Sequence, residues 1–136
     1  MSRGLSRFIV LSVLGALGCD GAKELRAQQS AGGVLLALGV LREAPNAGKS
    51  KALTGLSQAP CNGEGVCEVR DACRDAYALH VEALELTAAA KQKLADGQAQ
   101  VAAELLGPAE AKLEAASAKI DDCNERAGAL RRRYKL

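Results

Sequence analysis

Two long apolar seams restrict this chain more than any other feature of its sequence. Val69, Ala72, Ala76, Leu79, Ala83, Leu86, Ala90 and Leu94 recur at steps of three and four residues, the spacing that gathers side chains on one face of an α-helix. A second seam runs through Val101, Leu105, Ala109, Leu113, Ala116, Ile120, Cys123, Ala127, Leu130 and Tyr134. Steps averaging near 3.5 belong to helices that pack along a narrow, coiled-coil-like line. Helices gain most of their stability in water by burying such a stripe, so two stripes in succession call for each other. Asp96-Gly97 between them reads as a helix stop and turn. Gly107-Pro108 interrupts the second seam without shifting its phase, so a kink or brief stop is expected there. The alternative puts the reversal of the chain at Gly107-Pro108 instead of at Gly97.

Upstream, Leu25, Gln28, Ala31, Leu35, Leu38 and Leu41 suggest a first helix over about residues 22–42, weakened at Gly32-Gly33. The stretch 44–65 is rich in Pro and Gly and carries Asn46 and Asn62. It reads as a linker, with room for one short helix around Lys51 to Leu56. The long helix is expected at about 66–95 and the last at about 98–134. The fold class that follows is all-α: an antiparallel helical hairpin with an additional N-terminal helix, a small helical bundle.

The start of the chain has a different character. Arg3 and Arg7 precede the compact apolar run Phe8-Ile9-Val10-Leu11-Ser12-Val13-Leu14, and Gly15-Ala16-Leu17-Gly18 leads directly to Cys19. A basic start, an apolar stretch and small residues make a secretory signal, and the run is short against the roughly 20 apolar residues of a membrane span. Residues 1–18 are therefore expected to be removed, leaving 19–136 as one helical domain. The junction resembles the lipobox of bacterial lipoproteins, with Ala16 and Leu17 exchanged relative to its commonest pattern. The resemblance implies that Cys19 becomes the first residue and carries acyl chains, anchoring an exported protein to a membrane and facing the periplasm. Asp20 goes with inner-membrane retention in enteric-type lipoproteins, but the rule differs among bacteria, and inner or outer membrane stays open. The other reading is an ordinary cleaved signal and a soluble secreted protein.

Export gives the remaining cysteines a meaning. Cys61, Cys67, Cys73 and Cys123 can form two disulfides in three pairings. On a helix, Cys67 and Cys73 would stand about 9 Å apart along the axis, beyond the roughly 7 Å limit between Cα atoms. Cys123 lies on the second seam and Cys73 beside the first, so Cys73–Cys123 with Cys61–Cys67 is favoured. The midpoint of that pair, (73 + 123)/2 = 98, falls beside Gly97. Five residues separate each of Cys61, Cys67 and Cys73, wider than zinc-ligand spacing, and Cys-x-x-Cys is absent. No metal or other cofactor is expected.

Chemistry-bearing motifs are few. Gly48-Lys49-Ser50 is similar to the end of a phosphate-binding loop, but Glu43 stands where that loop needs glycine. His80 is the single histidine, and no nucleophile motif accompanies it. No catalytic residue is expected. After residue 18 the chain carries 18 − 2 = 16 basic against 16 acidic residues, which gives no reason to expect nucleic acid. Its aromatics are Tyr77 and Tyr134 alone, little material for an apolar ligand pocket.

Arg131, Arg132, Arg133 and Lys135 form a basic end, a candidate for contact with anionic headgroups or cell-wall polymer as well as for offsetting a helix dipole. The Tyr134-Lys135 ending resembles the tail of the murein-lipoprotein family, whose final lysine is joined to peptidoglycan; here Leu136 follows the lysine. The expectation is a lipid-anchored, non-enzymatic structural or protein-interaction module of the cell envelope, with a membrane and an envelope protein or cell-wall polymer as partners. A tether using the basic end is the second reading.

Overall fold

The computed structural model describes the backbone of residues 18–136 and the side chains from Asp20 onward. Residues 1–17 of the stretch read as a secretion signal, and the Cys19 side chain, lie outside the described residues. Four helices follow in order: α1 (Gly18–Glu43), α2 (Lys49–Gln58), α3 (Val66–Ala95) and α4 (Ala99–Tyr134), with a 3-10 turn at Asn46–Gly48. The architecture is all-α. Helices α3 and α4 form an antiparallel hairpin with by far the largest helix–helix interface, and α1 and α2 pack against one end of it. Disulfides join Cys61 to Cys67 and Cys73 to Cys123, each with Cα atoms 4.9 Å apart.

The chain reverses at Gly97, where φ is +74°. The Gln98 amide donates to the Lys93 carbonyl at 2.8 Å and the Gly97 amide to the Leu94 carbonyl at 3.1 Å. That pair of bonds closes a helix in a Schellman motif, which glycine suits because it has no Cβ. Helix α4 runs unbroken through Gly107-Pro108, so the stop considered there is not formed. Proline removes one helical donor, but Glu104 and Pro108 are both exposed. Water can serve the carbonyl that loses its partner.

The core sits where all four helices meet. Ala27, Ala31, Val34, Leu38 and Leu41 line one face of α1 and pack with Leu56 of α2, with Val66, Val69, Cys73 and Tyr77 of α3, and with Cys123, Ala127, Leu130 and Tyr134 of α4. This burial holds α1 together through Gly32-Gly33, two glycines that each cost about 1 kcal/mol relative to alanine. Beyond Tyr77 and Ile120 the hairpin is packed mainly by alanine: Ala83 and Ala90 on α3, Ala102, Ala109 and Ala116 on α4. The α4 seam thus follows a seven-residue repeat, Ala102, Ala109, Ala116, Cys123 and Leu130, the period of a coiled coil. Val101 and Leu113, expected on this seam, are 40 % and 42 % exposed, and Leu94 at the end of the α3 seam is 61 % exposed. Alanines let the helices approach closely, and the larger side chains are turned to the flanks.

Helix α1 starts earlier than its apolar pattern suggested, and Leu25 is exposed. Among the described residues every buried one lies at Ala27 or later, so the first described turns of α1 project past the core. Gln28 hydrogen-bonds to Tyr134, and Arg42 to Asn124. Helix α1 therefore runs antiparallel to α4, with its start beside the end of α4.

Candidate functional site

The basic C-terminus is built on a joint of three elements. Tyr134 is buried, its hydroxyl donates to the Glu64 carbonyl at 3.1 Å, and its own carbonyl accepts from Gln28 Nε2 at 3.0 Å. The loop between α2 and α3 supplies Gly63, with φ +103°; a Cβ there would lie 2.6 Å from the Ala27 Cβ and 2.7 Å from the Tyr134 hydroxyl. Only glycine meets both demands. Ser30, buried on α1, holds the same loop: its hydroxyl donates to the Pro60 carbonyl at 2.7 Å and accepts from the Asn62 amide at 2.7 Å. The Cys61–Cys67 bridge closes the loop from the other side.

On this frame the four basic residues of the C-terminus separate. Arg133 pairs with Glu64 and lies near the Tyr134 ring, 6.0 Å from its centroid. Its hydrogen bond to the Glu64 carboxylate raises the guanidinium pKa further. Arg131, Arg132 and Lys135 are exposed, and among the described residues they make no ion pair. Arg126, one turn earlier, pairs with Asp122 at 2.7 Å. Lys135 has φ 54° and ends α4, and the Leu136 amide donates to the Arg131 carbonyl at 3.0 Å. Three cations in the last turn also complement the negative end of the helix.

Between this end of α4 and the start of α1 lies an open groove of about 800 Å³, lined by Asp20, Lys23 and Glu24 of α1, by Glu64, and by Arg133 and Tyr134. Its groups are charged, wet and of both signs. It suits contact with a charged surface better than the desolvation of a small apolar substrate.

Lys49 has a role that its sequence setting hid. It is only 8 % exposed, and its ammonium donates to the Leu41 and Arg42 carbonyls, both at 2.8 Å. It caps the end of α1, where Ala44-Pro45 stops the helix. The burial of Lys49 depends on the chain folding back at Pro45, which no local pattern announces. His80 is partly buried edge-on to Tyr77, with ring centroids 6.4 Å apart. Burial, and then the charge of Lys49, lower its pKa below 6.5. Among the described residues no three His, Cys, Asp or Glu side chains are placed to hold a metal, and no helix is long and apolar enough to cross a membrane. A second, apolar groove of about 480 Å³ lies between α1 and α2, with Leu36 and Val40 on its rim and Gly33, Ala52 and Gly55 along it.

Compared with protein-family models, with curated proteins and with solved structures, the chain matches none of them.

Proposed function

We propose that this protein is an exported lipoprotein, held to a cell-envelope membrane by acyl chains on Cys19, and that its helical hairpin is a non-enzymatic structural or protein-interaction module. The observation that carries the reading is the Gly18-Cys19 junction at the close of a short basic and apolar leader. Each buried CH₂ of an acyl chain contributes about 0.8 kcal/mol, and two or more chains anchor a protein stably where one does not. The fold is compatible with such an anchor. Its described core begins at Ala27, and residues 20–26 form an exposed spacer of about two helical turns between Cys19 and the packed body. The long α3–α4 faces and the open, charged groove beside the end of α4 favour contact with a surface over chemistry on an enclosed substrate.

Metabolic labelling with a fatty-acid analogue tests the reading. The wild type is expected to take up label and Cys19→Ser to remain unlabelled. Equal labelling of the two, or none in either, would overturn it.

A further inference from the structure

We propose that the end of the molecule where α1 begins and α4 finishes is a headgroup-binding face, and that the partner it fits is an anionic phospholipid bilayer. The position of the bilayer at this end rests on the lipoprotein reading; the charge argument does not.

Two independent features of the fold meet at this end. The first is topological. Because α1 is antiparallel to α4, the start of α1, where Cys19 stands, lies beside the basic terminus. Asp20, the next residue after Cys19, lines the same groove as Arg133 and Tyr134. Gln28 is level with Tyr134 through their hydrogen bond. Nine residues of helix separate Cys19 from Gln28, about 14 Å at 1.5 Å each. Lys23 and Arg26 stand on α1 itself between Cys19 and Gln28, whereas the Arg132 guanidinium folds back over Gly128, one turn before it on α4.

The second feature is charge. Arg133 and Glu64 neutralise each other. What remains at this end is Lys23, Arg26, Arg131, Arg132 and Lys135 against Asp20, Glu24 and Glu68, a surplus of 5 − 3 = 2 positive charges. Arg131, Arg132 and Lys135, like Lys23 and Arg26, make no ion pair among the described residues. One signal of attachment would be the acyl anchor and the other a small basic face beside it, the pairing that makes peripheral attachment stable. The geometry then stands the hairpin away from the bilayer. Helix α4 has 36 residues, about 54 Å of helix, so the Gly97 tip, with Leu94 and Val101 exposed, lies far from the lipid.

The test uses residues 20–136, which contain every buried residue of the described core and whose folding is checked by circular dichroism. Co-sedimentation is measured with phosphatidylcholine vesicles, with and without phosphatidylglycerol, over a range of salt. The wild type is expected to bind only the anionic vesicles, at low salt, and to lose binding as salt rises. Each cation near an anionic surface contributes roughly fivefold in binding. Arg131→Glu, Arg132→Glu and Lys135→Glu together should therefore weaken binding by at least about a hundredfold. The wild-type comparison of lipids and salts decides the matter even if that variant folds poorly. No binding at low salt, equal binding to both vesicles, or unchanged binding in a folded triple variant would overturn the proposal. Binding to isolated cell-wall polymer without binding to vesicles would overturn it too. This chain lacks Cys19, so the outcome is independent of acylation, which the fatty-acid labelling decides separately.

Discussion

Replacing both Cys73 and Cys123 by alanine should lower the melting temperature by about 15 °C, and by clearly more than removing the other bridge. The Cys73–Cys123 bond closes a separation of 50 residues, and the Cys61–Cys67 bond one of six. In the chain-entropy model the first restricts the unfolded chain by about 4 kcal/mol and the second by about 2 kcal/mol. At roughly 4 °C per kcal/mol for a domain of this size, the longer loop accounts for the larger shift. Packing adds to the difference, because Cys73 and Cys123 are fully buried among the core side chains, whereas Cys61 and Cys67 are only partly buried. Thermal unfolding of the oxidised protein, followed by far-ultraviolet circular dichroism, compares the two double variants. A shift of only a few degrees for Cys73→Ala/Cys123→Ala, or a larger one for Cys61→Ala/Cys67→Ala, would refute the assignment of the long-range bridge as the main staple of the hairpin.

Other perturbations probe the rest of the fold. Lys49→Met keeps the aliphatic stem but strips two α1 carbonyls of their donor, and should cost about 2 kcal/mol in urea unfolding; a change within experimental error would remove Lys49 as a cap. Because the folded pKa of His80 lies below its unfolded value near 6.5, the unfolded chain takes up its proton first as pH falls. Stability should thus decline as pH drops from 6.5 to the lowered folded value and then level off. His80→Gln should flatten that step, as read from urea midpoints across the range. Ala116→Leu, at a site 1 % exposed on the close-packed seam, should cost about 1–3 kcal/mol by overpacking. Leu94→Ala, at an exposed site, should change stability by no more than about 0.5 kcal/mol; reversed melting shifts for these two would mean that the tip packs on its larger side chains.

The hairpin and its staple were legible because independent signals coincided on them. The two seams, the turn residues at Asp96-Gly97 and the midpoint of Cys73 and Cys123 all point to one reversal. At the tip the reading slipped by one residue, from Ala102 to Val101, because a hydrophobicity pattern favours valine where close helix packing favours alanine. On α1 the same preference chose Leu35 and passed over Val34, though both are buried. Lys49 and Gly63 could not be recognised from their neighbours. One is buried by a carbonyl pair eight and seven residues away, and the other is required by Ala27 and Tyr134. Both demands exist only once the helices are assembled. Pro108 was overweighted, since the cost of a helical proline depends on whether the displaced carbonyl faces water. The basic terminus was visible as a run of charge, but its division into the paired Arg133 and the three residues without ion pairs needed the position of Glu64.

The most direct measurement of the central claim is the intact mass of the mature protein recovered from the membrane fraction of cells that make the whole chain. The account predicts a chain that begins at Cys19 and is heavier than residues 19–136 by two or more acyl groups, with the added mass located on Cys19 by fragmentation. A chain recovered in the soluble fraction, beginning elsewhere or carrying an unmodified Cys19, would contradict it.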